Sequence, residues 1–135
     1  MKLSIDELSQ LCKTITDMLP DGGIVALRGD LASGKTTFTK KFVEFLGGGD
    51  VVTSPTFSLQ HIYGENIFHY DMYSYGFEKF LSLGMMQELE RDGYHLIEWA
   101  DGKLLDMIKL SGMSGVIVDI DKCYDDARCY GVKYV

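Results

Sequence analysis

Positive charge is scarce in this sequence of 135 residues. Thirteen Lys and Arg stand against twenty Asp and Glu, which gives a net charge of −7 at neutral pH, and no basic residue occurs between Lys41 and Lys79. Proteins that bind nucleic acid on their own usually present a basic surface that neutralises phosphates. We therefore expect no autonomous nucleic-acid binding by this chain.

Cysteine is also sparse, with three residues (Cys12, Cys123 and Cys129) and no C-x-x-C spacing. This pattern argues against a disulfide scaffold or a zinc site and favours a reducing compartment. No apolar run is long enough to cross a membrane, and the N-terminus lacks the basic-then-apolar order of an export signal. We expect a soluble, cytoplasmic protein whose length allows a single domain over residues 1–135.

Apolar spacing predicts helices that alternate with strands. Ser4 followed by Glu7 is a pair typical of a helix start. Helices are expected at residues 8–19, 36–46, 78–91 with an interruption at Gly84, and 103–110. Strands are expected at 24–27, at 57–63 and 67–73 as a hairpin, at 94–98, and at 116–118 and 129–135 around a turn at Asp125–Asp126. The alternation predicts an α/β fold with a mixed central sheet between two helical layers.

The segment from Gly29 to Thr36 fits G-x-x-x-x-G-K-[ST] in full, between an apolar strand and a helix. Glycines let backbone N–H groups converge on phosphate oxygens, and the helix start adds the positive end of its dipole. Lys35 supplies a charge for the β- and γ-phosphates, and the Thr36 hydroxyl suits Mg²⁺. The motif predicts a P-loop nucleotide site formed by Asp30, Leu31, Ala32, Ser33, Gly34, Lys35, Thr36 and Thr37.

A site of this class also needs an acidic residue at the end of a neighbouring strand, to hold Mg²⁺ or its water. Asp71, Glu98 and Asp119 each follow an apolar strand, and their spacing does not rank them. The three histidines lack the spacing of a metal site, so structural roles are expected for His61, His69 and His95.

The base and the surroundings of the phosphates are less constrained. P-loop proteins that are specific for guanine use an N-K-x-D motif, whereas the only Asn here, Asn66, is followed by Ile67. ATP is therefore favoured over GTP. Trp99, the sole tryptophan, either stacks on adenine or fills the core. Residues 53–57, Thr-Ser-Pro-Thr-Phe, suit either a capped loop or a segment that senses the γ-phosphate.

Four motifs occur together, in the order GDLASGKTT at 29–37, SPTF at 54–57, HYDMY at 69–73 and EW at 98–99. This ordered set resembles the bacterial TsaE family, small P-loop ATPases required for threonylcarbamoyladenosine formation on tRNA. The resemblance implies a P-loop NTPase fold, ATP and Mg²⁺ as cofactors, and TsaD and TsaB as partner proteins that hold the tRNA. It also implies that Lys35, Thr36 and Thr37 hold phosphate and Mg²⁺, and that Thr56 is the threonine of a switch-like loop.

The resemblance gives roles to the acidic residues and the tryptophan as well. Asp71 matches the family's strand-end acid, Glu98 the acid that supports Mg²⁺ or the attacking water, and Trp99 the tryptophan beside the nucleotide. Both acids are thereby ranked above Asp119.

Two positions depart from the family pattern. Ser74 stands where the family often has Arg, which bears on any interaction that this Arg makes. Asp101 stands where the family often has Glu, so the charge is conserved.

Two other functions are compatible with a P-loop. A small-molecule kinase usually carries several arginines in a lid, whereas the three arginines here are not clustered in sequence: Arg28, Arg91 and Arg128. A nucleotide-gated binding module with negligible turnover would use the same site and differ mainly in rate. The sequence favours an ATPase that is slow alone and stimulated by its partners.

Overall fold

The computed structural model describes residues 1–29, 34–48, 59–123 and 127–135. Its strands are β1 (Lys2–Leu3), β2 (Gly23–Arg28), β3 (Gln60–Tyr63), β4 (Ile67–Asp71), β5 (Tyr94–Glu98), β6 (Gly115–Lys122) and β7 (Arg128–Tyr134). Its helices are α1 (Leu8–Met18), which follows a 3₁₀ turn at Ile5–Glu7, and α2 (Lys35–Phe45), α3 (Phe77–Ser82), α4 (Met85–Glu88) and α5 (Gly102–Leu110).

The seven strands form one sheet in the order β1-β7-β6-β2-β5-β4-β3. The central strand β2 runs parallel to β5 and β6, and β4 runs parallel to β5, whereas the outer strands pair antiparallel. The strands β5 and β6 lie on opposite sides of β2, so the strand order changes direction there. In α/β sheets, a ligand crevice opens at the carboxyl ends of the strands at such a point. The predicted mixed sheet is confirmed.

Helices cover both faces of the sheet. Helices α1 and α2 pack on one face, and their apolar side chains share a buried cluster with β2, β5 and β6 that includes Leu11, Ile15, Phe38, Phe42, Leu27, Leu96 and Val118. Helices α3, α4 and α5 pack on the other face, in a cluster that includes Phe80, Met85, Leu104, Ile108, Phe68 and Ile97. These are the three layers that the alternating pattern predicts.

Local signals placed most helices and strands correctly. The predicted interruption occurs at Gly84, whose positive φ of 75° separates α3 from α4. The Ser4 amide and hydroxyl both donate to Glu7 Oε1, at 3.0 and 2.9 Å, although α1 itself starts at Leu8. The sequence did not predict β1, because two residues carry no periodicity; only the pairing of Leu3 with Arg128 and of its neighbour with Cys129 defines it.

The cysteines correct one expectation. The structure joins Cys123 and Cys129 in a disulfide with their Cα atoms 5.7 Å apart, because the antiparallel pairing of β6 with β7 sets Cys129 opposite Asp121, near the end of β6. The odd cysteine count gave no sign of this pair. Cys12 remains a buried thiol, and its burial raises its pKa to about 11.

None of the helices in the described part of the chain has the length and apolarity that a bilayer-spanning segment requires. The turn predicted at Asp125–Asp126 and the start of the predicted 57–63 strand lie outside the described residues.

Candidate functional site

The phosphate-binding motif joins the carboxyl end of β2 to the start of α2. Gly34 precedes the helix with φ of 109°, a left-handed conformation that suits glycine, and its carbonyl accepts from the Phe38 amide at 2.9 Å. Lys35 is only 3% exposed. Its Nζ donates to the Gly29 carbonyl at 2.6 Å and lies 3.9 Å from the centroid of the Trp99 ring. The ammonium is thus buried between the Gly29 carbonyl and the Trp99 ring.

The structure describes some of the other predicted P-loop residues and not others. Thr36 and Thr37 are exposed in the first turn of α2, where a hydroxyl can reach a ligand above the helix. The remaining predicted positions lie outside the described residues: Asp30, Leu31, Ala32, Ser33 and Thr56.

Two of the three candidate acids meet at the carboxyl ends of neighbouring strands. The register pairs Leu27 of β2 with Glu98 of β5, and Glu98 with Asp71 of β4. Directly paired residues share a face of the sheet, so both carboxylates belong to the face that α2 covers. Glu98 is 5% exposed, whereas Asp71 is half-buried and accepts from the Tyr73 amide at 3.0 Å.

Asp119 is placed differently. It pairs with Arg28, one residue beyond Leu27, so it projects from the opposite face of the sheet. Its two oxygens accept from the guanidinium of Arg28, at 2.7 Å from Nε and 3.0 Å from Nη2. These hydrogen bonds, aided by the positive charge, hold the pKa of Asp119 below its ordinary value. The structure therefore gives Asp119 a partner of its own.

Trp99 follows Glu98 in a strained backbone conformation. Its φ is 64°, which costs a non-glycine residue of this size about 1–3 kcal/mol. The turn brings the indole under the Lys35 ammonium and edge-on to the Tyr73 ring, with ring centroids 5.1 Å apart. Sequence reasoning offers adenine stacking or core filling; the structure places the ring beside the Lys35 ammonium.

The three histidines occupy two environments. His95 is buried on the face of α3–α5, where its Nε2 lies 2.7 Å from the Arg91 carbonyl and its Nδ1 2.8 Å from the Tyr70 hydroxyl. A carbonyl only accepts, so Nε2 carries the proton and Tyr70 donates to Nδ1. Burial lowers the pKa of His95, which keeps the ring neutral. His61 and His69 stack on the other face, with ring centroids 5.9 Å apart, and His69 reaches Glu98.

The structure adds Arg128, which sequence reasoning did not assign to the site. Its Nε lies 4.0 Å from the position that a Cβ on Gly34 would occupy, beside the last glycine of the loop. A cavity next to it is lined by Leu3, Ile5, Leu8, Gly34, Thr37, Arg128 and Tyr130. No local pattern marks this residue, because only the pairing of β7 brings it to the start of α2.

A second cavity, of about 470 Å³, lies at the amino ends of the parallel strands. Its lining includes Gly23 at the start of β2 and Gly93 just before β5. It therefore opens at the end of the sheet remote from the phosphate-binding motif, and it is not part of this site.

Comparison with known proteins identifies a matching family. The family described as threonylcarbamoyl adenosine biosynthesis protein TsaE matches residues 3–124. The chain is 36% identical over 98 residues to a Bacillus subtilis tRNA threonylcarbamoyladenosine biosynthesis protein TsaE, covering 70% of this chain and 61% of that protein. It is 35% identical over 112 residues to the protein of that name from Haemophilus influenzae, covering 78% and 66%. The alignments thus span somewhat less than two-thirds of these relatives.

The crystal structure of Bacillus subtilis YdiB superimposes with a TM-score of 0.63 at 25% sequence identity, covering 99% of this chain and 83% of that chain. The fold, and the strand–motif–helix unit at its centre, define a P-loop NTPase. Within that class, the chain belongs to the TsaE family.

Proposed function

We propose that this chain binds ATP with Mg²⁺ and hydrolyses it slowly, as the nucleotide-handling component of threonylcarbamoyladenosine modification of tRNA. One observation carries the proposal: the Lys35 ammonium and the carboxylates of Glu98 and Asp71 belong to one end of three adjacent parallel strands, beside the phosphate-binding motif. A buried cation and strand-end acids are the groups that phosphoryl chemistry requires there.

Each of these residues has a separate role in the proposal. Lys35 holds the β- and γ-phosphates, and Glu98 holds Mg²⁺ or orients the attacking water, supported by Asp71. Thr36 and Glu98 supply the hydroxyl and carboxylate oxygens that Mg²⁺ prefers, and few protein ligands are needed because phosphates and waters complete its shell. When bound, the ion neutralises charge that develops on the phosphate oxygens. Thr56 is proposed as the residue that senses the γ-phosphate.

The nucleotide is proposed to be ATP. Asn66, the only asparagine, lies just before β4, at the amino ends of the strands. Its backbone carbonyl accepts a hydrogen bond from the Tyr94 amide at 3.0 Å. A guanine reader would have to lie near the opposite end of the sheet. Trp99, whose ring lies against the Lys35 ammonium, is proposed to lie at the phosphate end of the nucleotide.

The arginine positions disfavour a small-molecule kinase. Arg28 is held by Asp119, and Arg91 lies on the Phe68 ring, 4.7 Å from its centroid, and pairs with Glu88. Of the three arginines, Arg128 is thus the one beside the loop, and one arginine does not make the multi-arginine lid of such kinases.

TsaD and TsaB are the proposed partners, in the cytoplasm, and the tRNA would be held by them rather than by this acidic chain. The segment from Thr53 to Gly64 and the exposed turn after Tyr73 form the proposed docking surface; residues 53–58 lie outside the described part. Tyr73 itself is 61% exposed and contacts Trp99, so a partner that covers this turn would also contact the site.

Reconstitution tests this proposal. Adding the cognate TsaD–TsaB pair is expected to form a complex and raise ATP turnover, and repeated threonylcarbamoyl transfer to tRNA is expected to require all three proteins. Lys35→Met should not support the reaction, whereas Lys40→Met, an exposed position on the same helix, should. The role is wrong if multiple turnovers proceed equally well without this chain. An intact complex without ATP turnover would favour the nucleotide-gated binding module.

A further inference from the structure

A buried histidine contacts the carboxylate of Glu98. His69 Nε2 lies 2.5 Å from Glu98 Oε2, and the two side chains are 11% and 7% exposed. Both lie on the face of the sheet that α2 covers, at the end where the phosphate-binding motif begins. The pair is therefore internal to the site, and water competes little for this hydrogen bond.

Strand register explains why these two side chains meet. His69 of β4 is directly opposite Leu96 of β5, and Glu98 is two residues further along the same strand and face. Long side chains reach across such a diagonal. On the other side, His61 of β3 is directly opposite His69, and the two rings stack at an interplanar angle of 25°. The ring of His69 is thus held between β3 and β5 with Nε2 directed at Glu98.

From this geometry we propose that His69 is a positioning residue for Glu98, and the proposal rests on the function proposed above. A carboxylate has two oxygens and several rotamers. Donation by Nε2 of His69 fixes Oε2 and leaves Oε1 for Mg²⁺ or for the attacking water. Residues that orient a metal-binding or catalytic carboxylate in this way usually change affinity or activity by about 10- to 100-fold when they are removed.

Two amide substitutions separate this role from mere packing. In His69→Gln the side-chain amide extends to about the place of Nε2 and can still donate to Glu98. In His69→Asn the amide ends near the place of Nδ1 and is too short. Both variants carry the same polar group in the same buried position, so their cost in packing is similar, and thermal melting of each measures that cost.

The experiment measures ATP hydrolysis and its dependence on Mg²⁺ concentration for the full chain, with its partners present. His69→Asn is expected to lower kcat by about 10- to 100-fold and to raise the Mg²⁺ concentration for half-maximal rate, while His69→Gln restores most of the activity. Binding of nucleotide without Mg²⁺ should be equal in both variants and in the wild type, because this contact does not involve Lys35.

A double-mutant cycle with Glu98→Gln completes the test. If His69 acts through Glu98, His69→Asn costs little more once Glu98 has been changed, whereas independent roles would add. Equal kcat in His69→Asn, His69→Gln and the wild type, with Glu98→Gln impaired, overturns the positioning role alone, and so does full additivity. A wild type without ATP turnover, or a Glu98→Gln variant as active as the wild type, refutes the proposed function and this inference with it.

Discussion

Replacing Lys35 by Met probes the site at its buried cation. Methionine keeps an unbranched stem of similar length and removes only the ammonium, which is buried between the Gly29 carbonyl and the Trp99 ring. The substitution therefore changes charge with little change in packing volume. Any loss of nucleotide binding can then be assigned to the charge.

The expected magnitude follows from the contact that is lost. A hydrogen bond to a charged group contributes about 1.5–3 kcal/mol, which corresponds to a rise in Kd for ATP of about 10- to 150-fold. In the protein without nucleotide, Lys35→Met removes the stabilising hydrogen bond to the Gly29 carbonyl. It also removes the unfavourable desolvation of a buried cation. These effects oppose each other, so the free energy of unfolding should change by no more than about 1 kcal/mol.

Calorimetric titration with Mg·ATP and urea denaturation measure the two quantities. Lys40→Met is the matched control, because it makes the same change at an exposed position of α2. Equal ATP affinity for Lys35→Met, Lys40→Met and the wild type would refute the assignment. A Lys35→Met variant that loses most of its folding stability would show instead that the lysine is structural.

Three further predictions follow from the same contacts. Glu98→Gln and Asp71→Asn should each lower ATP hydrolysis by about 100-fold or more in a coupled assay, while Asp119→Asn changes it little; an indispensable Asp119 beside a dispensable Glu98 would reverse the ranking. Trp99 emission should change saturably as ATP is added, because its ring lies 3.9 Å from the ammonium that is proposed to bind phosphate. A flat signal despite independently measured binding would contradict this. The pKa of His95 is lowered in the fold, so the free energy of unfolding should fall as the pH drops below about 6.5, the ordinary pKa of histidine. The fall should reach up to about 1.4 kcal/mol per pH unit until the lowered pKa is reached. Urea denaturation at several pH values should show that the unfolding free energy of His95→Gln depends less steeply on pH.

The central fold could be predicted because its signals are local. The run before Gly29, the motif itself and the apolar spacing of α2 each specify one element within a dozen residues. The break at Gly84 is local too, since a left-handed residue ends a helix turn. By contrast, β1 depends on its pairing with β7, which is distant from Leu3 in sequence, and no short pattern encodes that contact.

The site shows the same division. Lys35 and Thr36 belong to a motif whose spacing has a direct physical reason, so the sequence alone is enough to predict them as site residues. The spacing of the three candidate acids did not rank them, because it does not say which strands become neighbours. The register of the sheet places Glu98 beside Asp71, whereas Asp119 forms an ion pair with Arg28. The departure at Asp101 has a structural role, since its side chain accepts from the Leu104 amide at 2.9 Å and caps α5.

Strand β5 shows how fold and site depend on the same register. The residues of β5 are mostly buried on both faces of the sheet, so either face could accept the side chains of Leu96 and Ile97. The apolar pattern alone therefore specifies the register weakly. Its polar residues are not interchangeable: His95 needs Tyr70 and a backbone carbonyl on one face, and Glu98 needs His69 on the other. A slip by one residue would exchange the faces and leave both side chains buried without these partners, at a cost of about 1–3 kcal/mol each or more for a charge. The polar contacts that specify the alignment of β5 thus also place Glu98 next to the phosphate-binding motif.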